Sequence, residues 1–246
     1  MFTLYHDWDS VCSFKVRICL EEKKIEYLSR RVNLNRFEHL QEGYREINPN
    51  GLVPTLDHAG HTIVESSIIN EFLDQVHTAS SLVPNDAYAI AKMRVLVKLQ
   101  DDVLYHAQRP ATFQLMVKRM LSNLSREEVD GLVQNHPEPV RAEQFLNWAT
   151  GPVDELVVDE AKRNIRPVLE KLETALADGP WLAGDTFSLA ECAYAPFVDR
   201  LRRLMFDVLW EDQPKVKAWV ERLSARPSFV AAIGPEEFRM PCPADG

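Results

Sequence analysis

An α/β module followed by an all-helical domain is the fold class that this 246-residue sequence predicts. Three observations carry the reading. Short β-rich runs alternate with helical periods up to about residue 78. The alternation stops at a polar linker, and every later segment shows only the 3.6-residue period. The first unit opens with a strand, Phe2-Thr3-Leu4-Tyr5, and a polar turn, His6 to Asp9, that contains Trp8. Ser10 can cap a helix running to about Lys24, with Phe14/Ile18 and Val16/Leu20 spaced i, i+4. Glu26 to Val32 reads as a second strand. Arg36 to Ile47 reads as a weak helix, stopped by the turn Asn48-Pro49-Asn50-Gly51. Thr55–Asp57 and Thr62–Val64 read as strands joined through Ala59-Gly60, and Ser67–Val76 as the closing helix.

The order β-α-β-α-β-β-α predicts a thioredoxin-like module with a mixed sheet over residues 1–78. His77 to Asp86 is the linker, and residues 87–246 form the helical domain. Its predicted helices are Ala87–Ala107, Thr112–Leu124 and a short one opened by the capping box Ser125-Arg126-Glu127-Glu128. Gln134 to Gly151, with Pro137, Pro139 and Gly151, reads as partly loop. A long helix over Val153–Ala177 carries Pro167, where it can bend. Ser188-Leu189-Ala190-Glu191 is a second capping box, and Lys215–Ala225 a last helix. The proline-rich tail from Arg226 reads as irregular.

A hydrophobic content of 46% gives one large or two small globular domains enough apolar residues for proper cores. The net charge of −9 argues against nucleic acid and anionic membranes as partners. No run of about 20 apolar residues is present, and Met1 to Asp7 lacks the pattern of a secretory signal. The four cysteines, Cys12, Cys19, Cys192 and Cys242, include no Cys-x-x-Cys pair, as in a reducing compartment without disulfides or zinc. A cytoplasmic protein is the expectation.

Two short segments carry chemistry. In Leu52-Val53-Pro54-Thr55, the proline fits a strand's first residue, which leaves the backbone of Val53 free to meet a ligand. Glu65-Ser66 opens a helix, where unpaired N–H groups and the positive dipole end receive carboxylates. A free strand edge beside such a helix start suits a small peptide with a terminal carboxylate.

Val53-Pro54 followed by Glu65-Ser66 resembles the glutathione site of the glutathione transferase family. The resemblance extends over most of the chain. Trp181-Leu182-Ala183-Gly184-Asp185 with Ser188-x-x-Glu191 is similar to that family's folding motif, although the family usually has Asp where Glu191 stands. It implies a cis proline at Pro54, backbone pairing of glutathione with Val53, γ-glutamyl contacts at Glu65 and Ser66, and a homodimer. Glutathione is the implied co-substrate, and no metal is implied. Asp9-Ser10-Val11-Cys12-Ser13 resembles the serine-type members, in which a hydroxyl at the first helix start donates to the glutathione sulfur. By spacing Ser10 matches that serine and also the cysteine of the cysteine-type members. Ser13 matches a serine of the bacterial β-etherase branch, and Cys12 lies between them. The zeta branch, whose members isomerise maleylacetoacetate, carries Ser-Ser-Cys; Ser10-Val11-Cys12 lacks the second serine.

The resemblance further implies His39 as a contact for the glycine carboxylate and Asp102 as one for the γ-glutamyl amine across a dimer. Leu52 departs from the Lys, Arg or Gln often found there. A second-substrate pocket between the domains would draw on Trp8, Tyr105, His106, Phe113, Met116 and Met120. The stretch from Pro110 to Gly151 is similar to the insertion of the β-etherase-like branch. The expected activity is conjugation of glutathione to an apolar, aromatic electrophile, with β-aryl ether cleavage as its sharpest form. A glutathione-dependent isomerase or a thiol reductase is the alternative within enzymes. A non-catalytic binding or assembly module is the alternative outside them.

Overall fold

The computed structural model describes residues 1–243. Its four strands are β1 (Phe2–His6), β2 (Tyr27–Arg31), β3 (Thr55–His58) and β4 (His61–Ile63). They form one mixed sheet in the order β2-β1-β3-β4, with β1 parallel to β2 and antiparallel to β3. Leu4 faces Leu56 across the register, and both are fully buried. Helix α1 (Val11–Lys23) and helix α3 (Ser66–Val76) pack together on this sheet. The expected weak helix resolves into two 3₁₀ turns, Leu34–Arg36 and Glu38–Leu40, and one α-helical turn, α2 (Glu42–Arg45).

Helix α1 is buried along nearly its whole length because it is enclosed twice. One side meets α3, and the other meets α10 (Leu189–Arg203) and α12 (Pro227–Ala232) of the helical domain. Its cations therefore lie inside the molecule, where a charge persists only with partners. Lys23 Nζ reaches Asp74 Oδ1 at 2.7 Å and the Ser80 carbonyl at 2.6 Å. Arg17 donates to the carbonyls of Asp7, Trp8 and Ala232. These bonds tie the first helix to the far end of the chain.

The helical domain starts with one continuous rod rather than the two helices expected. Helices α4 (Ala87–Leu99), α5 (Tyr105–Thr112) and α6 (Lys118–Met120) are joined by π turns at Gln100–Leu104 and Phe113–Val117. Pro110, which lacks an N–H, sits inside the rod between the two widened turns. Helices α7 (Arg126–Val133) and α8 (Pro139–Ala149) follow. The latter occupies much of the stretch expected to be partly loop, because Pro139 stands at its first turn, where no donor is missed. Helix α9 (Glu155–Ala175) continues through Pro167, and α11 (Pro214–Ser224) precedes the tail.

Both capping boxes form, at Ser125/Glu128 and Ser188/Glu191. The tail is more ordered than expected: α12 and a 3₁₀ turn at Glu236–Phe238 fall within it, and Cys242 is buried. The expectation for the residues after 243 lies outside the described residues. Two apolar cores result. The main one runs from the sheet through α1 into α9 and α10. A second joins Phe37 and Leu40 of the α/β module to Phe113, Val129 and Val133, so that α7 and α8 fold back over the module's edge.

Candidate active site

A cavity of about 210 Å³ lies between the α/β module and the helical domain. The module contributes the start of α1, the loop before β3 and the 3₁₀ turns; the helical domain contributes α5, α6, α7 and α8.

Ser10 is the N-cap of α1, and its Oγ accepts the Ser13 N–H at 3.2 Å. With that lone pair engaged, the hydroxyl proton is free to donate into the cavity that Ser10 lines. Asp9, next to it, is held by Arg200 Nη2 at 2.9 Å and Arg203 Nη1 at 2.5 Å, and accepts the Met240 N–H at 2.6 Å. Burial pushes the Asp9 carboxyl up, but Arg200 and Arg203 outweigh this and hold it below the usual value.

Cys12 also lines the cavity, but its thiol is not activated: burial, together with the carboxylates of Asp101 and Glu65, outweighs Lys15 and raises its pKa. Cys12 lies beside Ser66 and so links the starts of α1 and α3. Ser13, in contrast, is fully buried and faces the core one turn into the helix, away from the cavity.

The Val53-Pro54 peptide is cis. The carbonyl before it, Leu52 O, is taken by Tyr44 Oη at 2.6 Å and Asn48 Nδ2 at 2.8 Å. Among the described residues nothing pairs with the backbone of Val53, which borders the cavity. Gly51 has a φ of +60°, and a Cβ there would meet the His39 carbonyl at 3.0 Å, so glycine lets this loop close against the 3₁₀ turns. His39 lines the cavity with a buried Nδ1 that has no partner among the described residues. Burial, helped by His136, pushes its pKa down to about 4, so at neutral pH it offers a neutral hydrogen bond rather than a charge.

Glu65 and Ser66 stand at the start of α3, Glu65 exposed with φ +66° and Ser66 buried. They do not line the interdomain cavity; they lie beside it, next to Cys12. Asp102 lies on the surface in an ion pair with Lys98 at 2.5 Å. Its neighbour Asp101, about 100° round the helix, is the carboxylate that meets this end of α3: it accepts from Ser67 Oγ and from buried Lys15 Nζ, each at 2.6 Å.

Of the expected pocket residues, Tyr105, Phe113 and Met120 line the cavity. Three others do not. Trp8 is packed against the tail: a Cβ on Gly234 would come within 2.6 Å of Trp8 Cβ, and the Arg17 guanidinium lies over its ring at 4.8 Å. Met116 is fully buried in the main core, on the side of the rod that faces the other helices. His106 points to solvent with its ring edge on Tyr105. Several polar lining residues were not anticipated, among them Arg109, Thr112, His136, Arg141 and Arg200. Tyr105, Gln108, Arg109 and Thr112 recur at helical spacing, a polar stripe that could have marked the cavity face.

The hydroxyl of Ser10 at the α1 start and the unpaired backbone edge of Val53 border one cavity of mixed apolar and charged lining, and the α3 start lies beside it. Residues 9–76 match the glutathione S-transferase N-terminal domain, and residues 155–222 match the C-terminal domain of the same family. The chain belongs to the glutathione S-transferase family. It is 30% identical over 235 residues to protein LigF of Sphingobium sp. strain SYK-6, covering 92% of this chain and 90% of that one. The crystal structure of the beta-etherase LigF from that strain superposes with a TM-score of 0.85 at 27% identity, over 94% of this chain and 98% of the other. Glutathione S-transferase F13 of Arabidopsis thaliana is 27% identical over 92% of both chains.

Proposed function

We propose that this protein is a homodimeric, cytoplasmic glutathione transferase whose glutathione thiolate attacks an aromatic electrophile, in its sharpest form the carbon of a β-aryl ether. Residues 1–78 would bind glutathione and residues 87–246 the electrophile. The observation that carries the reading is the convergence on one cavity of Ser10 at the α1 start and the unpaired backbone of Val53. The beta-etherase named among the similar structures supports the ether-cleaving form.

In this reading the cysteine of glutathione pairs with the Val53 backbone, and its γ-glutamyl carboxylate meets the N–H groups at Glu65-Ser66. His39 donates one neutral hydrogen bond to the glycine carboxylate. A free thiol has a pKa of about 8.5. The Ser10 hydroxyl and the positive end of α1 stabilise the thiolate at neutral pH. The thiolate attacks carbon, the C–S bond forms as the C–O bond breaks, and the aryloxide leaves with the electron pair. No redox partner is needed. Ser10 is preferred to Cys12 because burial stabilises the Cys12 thiol in its protonated form. Exposed Ile68 on α3, and exposed Tyr88 and Val95 on α4, support a homodimer contact through these helices. Sedimentation at micromolar concentration would test it.

Calorimetric titration with glutathione, repeated on Glu65→Ala, tests the binding half. The expected result is binding that the substitution weakens more than tenfold, about 1.4 kcal/mol. Ser10→Ala tests the chemical half: turnover should fall about 10²-fold, the effect of one lost oxyanion-type donor, with glutathione affinity nearly unchanged. Absence of glutathione binding by the wild type would leave the non-catalytic module as the better reading.

A further inference from the structure

The helical-domain wall of the cavity carries charge that glutathione binding does not use. Arg109 on α5 and Arg141 on α8 both line the cavity, together with Tyr105. Their partners are unequal. Arg141 Nε bonds Glu138 Oε2 at 3.0 Å, and that carboxylate is 51% exposed. Arg109 meets no carboxylate among the described residues. Its one hydrogen bond runs to the neutral Gln144 Oε1 at 3.3 Å, and its guanidinium lies 5.0 Å and 5.3 Å from the rings of Phe113 and Trp148. The two carboxylates on the same cavity are already engaged: Asp7 with Arg31, and Asp9 with Arg200 and Arg203. The two lining histidines are held toward their neutral forms, His39 by burial and His136, and His136 by burial and the neighbouring arginines. In a chain of net charge −9, the cavity thus presents its occupant with a guanidinium that has no carboxylate in contact and only the longer-range pull of Glu138, which Arg141 holds.

An arginine stacked on aromatic rings with its N–H fork unsatisfied suits a planar oxyanion. The Tyr105 phenol stands with both guanidinia: burial raises its pKa, and Arg109 and Arg141 pull it back. Both Tyr105 and Arg109 also feel the Cys12 thiol, so the cluster lies within electrostatic reach of the α1 start, where the sulfur would react.

We propose that Arg109, Arg141 and Tyr105 form an oxyanion subsite, and that the electrophile places a negatively charged oxygen there, either a carboxylate on its ring or the phenolate it releases. The assignment of that oxygen to a reacting substrate rests on the transferase reading; the subsite itself does not need glutathione to be filled. For a leaving phenolate, the electron pair of the broken C–O bond ends on the oxygen that the guanidinia face. Solvent supplies the proton after release.

The test is calorimetric titration of the full-length protein, without glutathione, with 4-hydroxybenzoate and with its methyl ester. The acid should bind at least tenfold more tightly than the ester. Arg109→Gln should abolish that difference, and Arg109→Lys should keep much of it. Equal affinity for acid and ester in the wild type overturns the proposal, as does an Arg109→Gln variant that weakens both ligands alike. Thermal unfolding of each variant separates loss of the subsite from loss of the fold, and Arg141→Gln repeats the comparison at the second arginine. Turnover of β-aryl ethers then assigns the oxygen. A steeper dependence on leaving-phenol pKa in Arg109→Gln identifies the phenolate, and a loss confined to carboxylated substrates identifies the carboxylate. If glutathione does not bind while the acid still outbinds its ester, the transferase reading fails and the subsite stands.

Discussion

Replacing Asp9 with asparagine removes one charge from the junction of the two domains, and the structure sets the size of the effect. The carboxylate is 6% exposed and faces two guanidinia whose side chains are 5% and 10% exposed. Oδ2 also accepts the Met240 N–H at 2.6 Å, so one side chain joins the β1–α1 turn, helix α10 and the tail. An exposed ion pair contributes about 0–1 kcal/mol, whereas removing one partner of a buried pair costs about 3–5 kcal/mol because it strands the other charge. Here two cations are stranded, so Asp9→Asn should cost about 3–5 kcal/mol, or about 6–20 °C in Tm for a chain of this size. Urea unfolding followed by fluorescence measures it. The pH dependence follows from the depressed carboxyl. Its stabilisation is fully present above the unfolded value, about 3.9, and is lost as the pH falls through the lower folded value. Wild type and variant should therefore differ by a constant amount from about pH 5 to 8 and converge at lower pH. A loss under about 1 kcal/mol at pH 7, equal to that of an exposed pair, would refute the argument. So would a gap that persists unchanged into acid.

Other outcomes follow from the same geometry. Glu191→Ala removes the acceptor for the buried N–H groups of Leu182 and Ser188, at 2.5 Å and 2.9 Å, and should cost about 2–6 kcal/mol at about 1–3 kcal/mol per orphaned donor; thermal unfolding checks it. Cys12→Ser should keep most of the turnover, because the thiol it removes is held protonated by burial; loss of activity there but not in Ser10→Ala would move the chemistry to Cys12. Asp74→Asn leaves Lys23, whose side chain is 0% exposed, without its counter-ion and should cost about 3–5 kcal/mol by the same reasoning as for Asp9. Asp102→Asn should leave the stability of the subunit within about 0.5 kcal/mol, since it breaks only an exposed i, i+4 pair; a larger loss at concentrations where the protein is dimeric would point to a contact across the dimer.

What could be read from the chain was mostly local. Turn residues, the alternation in Phe2–Tyr5 and the two capping boxes fix their own neighbourhoods, and the elements they announce are present. Apart from the 3₁₀ turns at residues 34–40, the departures from expectation lie at prolines. Pro139 and Pro227 each stand in the first turn of a helix, where the missing N–H costs nothing, and Pro110 is carried inside a rod by flanking π turns. Side-chain direction within an apolar segment was the second obstacle. Phe113, Met116 and Met120 are equally apolar and sit at helical spacings, yet Met116 enters the main core while the other two face the cavity. Only the relative rotation of the packed helices decides this, and that rotation is not encoded locally.

The same distinction explains which part of the site was legible. Residues that would meet glutathione sit at element starts of the α/β module, where a cap, a proline or a helix opening leaves a mark in the sequence. Residues that would face a second substrate come from the middle of helices brought together over long distances. Arg200 and Arg141 reach one cavity from positions 59 residues apart in the numbering. A module that binds an unvarying peptide can be fixed by local geometry, whereas a wall built from mid-helix positions changes its ligand with single substitutions that leave every cap and turn intact. In the reading proposed above, the guanidinium of Arg109, set among aromatic rings with no carboxylate in contact, would select the electrophile, and Ser10 would make it react.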